Sequence, residues 1–155
     1  MKYLLVLSSL ALFAFTCKKI AEEKRITPTC ESGNVVIKNL ETEYGCVNTK
    51  YNLQLNNVDS FVVINSQPEF EAKVTGTCLP AIDFAAYTLV AGKKQLTNDN
   101  SNIQYTAIRD CNASKIHLNV LLSNTLGLSA PVVTWHCLLP KLQATEMVEV
   151  NIEVQ

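Results

Sequence analysis

Residues 103–123 read IQYTAIRDCNASKIHLNVLLS. Two alternating runs flank a short polar cluster. In the second run Ile116, Leu118, Val120 and Leu122 share one parity, and His117 and Asn119 take the other. A period of two marks a half-buried strand, because successive side chains point to opposite faces. The intervening Asp110-Cys111-Asn112-Ala113 has the residue types of a tight turn. The stretch predicts a β-hairpin, strands Ile103–Arg109 and Lys115–Ser123, with the even positions of the second strand facing a core.

Strand signals continue on both sides. Downstream, VVTWHCLL at 132–139 is closed by Pro140, and Val148, Val150, Ile152 and Val154 alternate with polar residues to the end. Upstream, AYTLVA at 86–91 ends at Gly92 and leads into the polar loop KKQLTNDNSN. FVVIN at 61–65 is apolar on both faces, which places it centrally. YNLQL at 51–55 puts Tyr51, Leu53 and Leu55 on one face, and NVVIK at 34–38 follows Gly33. Only SQPEFEAKV changes period. Ser66 and Glu69 have capping-box spacing, Pro68 falls in a first turn, and Phe70 and Val74 lie four apart. A helix over 67–75, ended by Gly76, is expected. The chain reads as a mainly β (α+β) domain: an antiparallel sandwich or partly open barrel of seven to eight strands with one short helix.

The beginning of the chain carries an address. Met1-Lys2 is followed by an apolar run from Leu4 to Phe15, broken only by Ser8 and Ser9. A spanning helix needs about 20 apolar residues, so this run fits a secretory signal better. Ala14-Phe15-Thr16-Cys17 resembles a bacterial lipobox, with Phe15 and Thr16 bulkier than the usual small residues. That resemblance implies cleavage before Cys17 and acylation of its sulfur; an ordinary signal peptide with a coincidental cysteine is the other reading. KKIAEEKRITPT at 18–29 reads as a solvated tether. The expected organisation is a lipoprotein signal at 1–16, a lipidated tether at 17–29, and one globular domain at 30–155. The expected location is the cell envelope, at the outer membrane of a Gram-negative bacterium, held by the lipid on Cys17.

Composition narrows the partners. Thirteen Lys and Arg stand against 14 Asp and Glu, and loss of residues 1–16 would remove only Lys2 among them. With no basic run beyond the tether, nucleic-acid binding is disfavoured. Five cysteines follow Cys17: Cys30, Cys46, Cys78, Cys111 and Cys137. Export implies disulfides. Cys137 shares parity with Val133, Trp135 and Leu139, so it reads as a buried free thiol. Cys30 with Cys46 and Cys78 with Cys111 is the simplest pairing; Cys46 with Cys78 or Cys137 is the other. No C-x-x-C spacing suggests a metal, and no cofactor is expected.

From about Phe61 onward, the order FVVIN, SQPEFEAKV, IDFAAYTLVAGKK and VVTWHCLLPKL resembles the PrcB-like domain of exported bacterial lipoproteins, named for a subunit of a surface protease complex. The shared elements are Asp83-Phe84 before a strand, a Gly92 turn and the closing Pro140-Lys141. LTNDNSNIQY stands where family members often have a Gly-Gly-Tyr turn, and residues 30–60 lie outside the likeness. It implies a non-catalytic accessory domain with a protein partner, such as an exported protease or an envelope complex.

Candidate site residues are few. His136 and Cys137 are adjacent, so on a strand they diverge rather than form a dyad. His117 and His136 read as outward by parity, and a hairpin of their two strands would bring them to one face as a weak metal or pH-sensitive patch. Asp83, between Ile82 and Phe84, reads either as a buried functional carboxylate or as the acceptor of a turn. Gly127-Leu128-Ser129-Ala130-Pro131 lacks the second glycine of a nucleophile elbow. Tyr44 and Tyr105 are the aromatics best placed to stack on a sugar or a partner, since Tyr51 and Trp135 have core parity. The leading expectation is a non-catalytic binding or accessory module, with the low-ranking binding set Tyr44, Tyr105, His117 and His136. The alternative is a small hydrolase or metal-dependent enzyme using His117, His136 or Asp83.

Overall fold

A computed structural model describes residues 30–155. The signal segment, Cys17 and the tether lie outside the described residues. The element order is β1 (Gly33–Asn34), α1 (Leu40–Tyr44), α2 (Thr49–Asn52), β2 (Leu53–Leu55), β3 (Phe61–Ile64), α3 (Gln67–Lys73), β4 (Val74–Gly76), β5 (Tyr87–Gln95), β6 (Asn100–Asp110), β7 (Lys115–Asn124), β8 (Val132–Pro140) and β9 (Met147–Val154).

The strands form a β-sandwich. One sheet has the order β1-β6-β7-β9, the other β3-β5-β8, and β2 pairs with β4 as a small ribbon. The β6–β7 hairpin turns at Cys111–Ser114, with Ser114 at a left-handed φ of 51°. Ile116, Leu118, Val120 and Leu122 are fully buried and pack with Val133, Trp135, Cys137 and Leu139 of the opposing sheet. The sandwich is antiparallel except at one edge. There β9 runs parallel to β7, in register from Lys115↔Met147 to Leu122↔Val154. The β8–β9 crossover is held by a forked ion pair, Arg109 Nε to Glu146 Oε1 at 2.6 Å and Nη2 to Oε2 at 3.2 Å.

A second core lies on the outer side of the three-stranded sheet. Leu89, Ala91 and Leu138 point there and meet Leu40, Leu53, Leu55, Phe70 and Val74 from the helices and the ribbon. Thus β5 and β8 are buried on both faces over most of their length.

Several local expectations change. Two helices appear where a strand or loop was read. In α1, Asn39 caps through its side chain, which accepts from Thr42 N–H, Glu41 and Glu43 occupy the first turn, and Gly45 closes the helix at φ 68°. In α2, Tyr51 and Asn52 N–H donate to the Asn48 carbonyl, so the backbone turns before Leu53 and Tyr51 faces solvent instead of the core. The strand beginning at Tyr87 runs through Gly92 to Gln95, because Gly92 is paired with Trp135 and leaves the room its indole needs. Helix α3 stops at Lys73, and Val74 passes directly into β4. Residues 33–38 do not make one strand: Gly33 and Asn34 pair with β6, whereas Lys38 bridges Leu138 of the other sheet. The extended segment therefore stitches the two sheets together, with Val35 and Ile37 against the core.

The disulfides are Cys30–Cys111 and Cys46–Cys78, not Cys30–Cys46 and Cys78–Cys111. Cys30 continues past Ser32, whose hydroxyl accepts from Cys111 N–H at 3.0 Å, so the hairpin turn is its neighbour. The α1–α2 connection brings Cys46 to the segment after β4. With separations of 81 and 32 residues, the chain-entropy model assigns about 4.5 and about 3.7 kcal/mol to these links. Peptide mapping without reduction should recover these two pairs. Replacing Cys46 and Cys78 together by Ser should lower the urea-unfolding free energy by up to ~4 kcal/mol; a Cys30–Cys46 peptide would contradict the fold.

Candidate functional site

The free edge of β8 opens into a cleft of about 220 Å³. Its floor is Tyr105, Thr134 and His136; α1 contributes Asn39 and Glu41 to the wall, α2 and its cap contribute Asn48, Thr49 and Lys50, and the start of β6 contributes Ser101, Asn102 and Ile103.

His136 is the centre of this cleft. It was expected to face outward, yet it is only 4% exposed. Its parity does point away from the sandwich core, but that face is roofed by α1 and α2. The ring Nε2 meets two groups with opposite needs: Leu40 N–H donates to it at 3.3 Å, and Glu41 Oε2 lies 3.3 Å away. A ring carrying its proton on Nδ1 satisfies Leu40, and one protonated at Nε2 satisfies Glu41. Nδ1 has no hydrogen-bond partner among the described residues and is left to the cleft.

The Glu41 carboxylate also accepts from the Thr49 hydroxyl. Its partial burial works against the charge, but the hydrogen bonds from His136 and Thr49 outweigh that and hold its carboxyl down at about 2. The order Thr49–Glu41–His136 places the carboxylate between hydroxyl and imidazole, so the imidazole cannot take the Thr49 proton directly. Nucleophilic relays need hydroxyl, imidazole and carboxylate in the other order.

Tyr105 closes the floor. Its hydroxyl accepts from His136 backbone N–H at 3.0 Å, taking the place of a strand partner on the β8 edge. Its own O–H donates to none of the described residues. Burial pushes this phenol well above its usual pKa, so it stays a donor. Lys50 is committed elsewhere, to the Asn100 carbonyl at 3.0 Å and above the Tyr51 ring at 5.1 Å.

The other sequence candidates do not join this cluster. His117 stands on the outer, solvent face of β7, 3.7 Å from Glu149. The strands of His117 and His136 do not pair; they belong to opposing sheets with the sandwich core between them. Asp83 is exposed, and its Oδ1 accepts from Ala85 and Ala86 N–H at 3.0 and 3.3 Å, which is the turn role. The Tyr44 hydroxyl accepts from Asp83 N–H at 3.0 Å while its ring packs against the second core, so it offers no open stacking face. Cys137 is free and buried, its thiol pushed up to about 12 by burial. Among the described residues, no group of three or more His, Cys, Asp and Glu could hold a metal ion. The sequence reading missed Glu41, Thr49 and Asn48, although the Asn39-to-Gly45 caps were a readable sign that a helix would present Glu41.

No family model, curated protein or solved structure matches the chain.

Two outcomes follow from this geometry. Because folding depresses the Glu41 pKa from 4.5 to about 2, its stabilisation is complete above the upper value and fades as pH falls through the lower one. Glu41→Gln should flatten the decline in melting temperature across that window, as followed by circular dichroism; a variant declining in parallel with the parent would refute the coupling. Cys137 should resist a thiol reagent in the folded protein and react stoichiometrically in denaturant. Rapid labelling without unfolding would contradict its burial.

Proposed function

We propose that this protein is a lipid-anchored, extracytoplasmic, non-catalytic binding module of the bacterial envelope, tethered through an acylated Cys17. The observation that carries the binding role is the cleft beside β8. Its buried imidazole retains an unshared nitrogen, while its acid is interposed between hydroxyl and ring in an order unsuited to activating a nucleophile. Two disulfides fit an oxidising compartment. Cys30 lies thirteen residues beyond Cys17 and is stapled to the β6–β7 turn. An acylated tether would therefore hold the sandwich by that end. The opposite ends of β6 and β7, where Ser101 and Asn102 line the cleft, would then face away from the attachment point. The likeness to PrcB-like domains extends this reading to an accessory role beside an exported protease or envelope assembly at the outer membrane.

Intact mass measurement of the protein purified from membranes tests the anchor. The expected species begins at Cys17 and carries the mass of a diacylglyceryl group, with or without a third acyl chain. A chain beginning elsewhere, or an unmodified thiol at Cys17, would sink the proposal.

A further inference from the structure

We infer that the cleft beside β8 takes one neutral, polyhydroxylated ring, a single sugar residue with the rest of its glycan running out to solvent. The inference rests on the binding-module reading above and specifies the ligand of the same site.

The argument begins with the groups that have no protein partner. His136, almost wholly buried, keeps Nδ1 free, and the Tyr105 hydroxyl has a hydrogen to donate. Asn39 uses its Oδ1 as a helix cap and leaves Nδ2 available. The Asn48 side chain makes no capping bond, and the Asn102 amide bonds to none of the described residues. Asn48 and Asn102 each offer an acceptor and two donors in one plane, which suits neighbouring hydroxyls that both donate and accept. These groups face solvent in the free cleft, so a ligand displaces water from them best by supplying several hydrogen bonds at once.

Charge then selects against ions. Glu41 and Lys50 both line the cleft, and each is already engaged by protein groups. With both charges committed to protein partners, an ion finds no uncommitted counter-charge, whereas a neutral ring needs none. Size limits the ligand further. At about 220 Å³ the cleft is below the ~300–1,000 Å³ of sites for drug-sized molecules. It suits one ring, with Ile103 and the Tyr105 ring offering apolar surface to the ring's C–H groups.

The test is a titration of the detergent-solubilised, full mature protein, isotopically labelled and followed by amide NMR shifts. The probes are glucose, galactose, mannose and N-acetylglucosamine, with glycine and acetate as charged comparators. At least one sugar should give saturable shifts confined to residues 39–41, 48–50, 101–105 and 134–136, with a Kd on the order of 1 mM. Asn48→Gly, which suits the left-handed φ of 53° at that position, and Asn102→Ala, both at exposed positions, should each weaken binding about ten-fold and leave the melting temperature nearly unchanged. Shifts with glycine or acetate alone would overturn the ligand class and leave a binding cleft in place. An absence of shifts with every probe would overturn the site itself, while the anchor would still be judged by mass. Turnover of p-nitrophenyl glycosides by the same sample would instead overturn the non-catalytic reading.

Discussion

The molecule is organised around a strand with two buried faces and one edge that no strand among the described residues covers. On one face of β8, Val133, Trp135, Cys137 and Leu139 build the sandwich core; on the other, Thr134, His136 and Leu138 meet the helical layer. Along one edge β5 supplies a full ladder from Tyr87↔Pro140 to Gln95↔Val132. The other edge must satisfy its backbone piecemeal, since buried N–H and C=O groups left unpaired are costly. Lys38 exchanges two hydrogen bonds with Leu138, at 3.0 and 2.8 Å, and the Tyr105 hydroxyl takes His136 N–H. Such partial covering also denies a foreign strand easy access to the edge.

This constraint explains why polar side chains sit inside the second core. Thr134 donates its hydroxyl to the Leu53 carbonyl at 2.8 Å, and His136 accepts from Leu40 N–H. They fasten the start of α1 and the end of α2 to β8. Helices of four and five residues are too short to persist by propensity, because helix nucleation is costly. Their place is set by these contacts, by Leu40 and Leu53 in the core, and by the Cys46–Cys78 link.

The sheet system was largely legible because its signal is local. Period-two runs at 103–109 and 115–123, with turn chemistry between them, dictate the hairpin whatever the rest of the chain does. Parity also gave the core-facing set of β7 and the buried Cys137. What parity cannot give is the partner on the other face. The alternation of Trp135 and His136 looks like inside and outside, and it is inside and inside once α1 and α2 roof the sheet. The same limit explains the disulfides and the parallel β7–β9 edge. Both depend on which distant segments meet, and neither leaves a pattern within a window of ten residues. Gly92 misled for a related reason: as a local signal glycine ends a strand, whereas here it makes room for the Trp135 ring.

The cleft is a consequence of the same edge. Had a full strand paired with β8 beyond Leu138, it would have occupied the space that Tyr105, Asn102 and Asn48 now border. The fold instead leaves Thr134 and His136 under a roof made by two short helices from one side and by the start of β6 from the other. A pocket built this way inherits rigid floor groups, since β8 is held by two cores, and a wall whose exposed residues can vary without disturbing either. The exposed Asn102 of that wall makes no side-chain contact that the fold depends on, whereas Asn48 caps α2 in a left-handed conformation and His136, Glu41 and Tyr105 serve the fold and the cleft together. That division separates substitutions that reshape the cleft wall from those that loosen the helical layer.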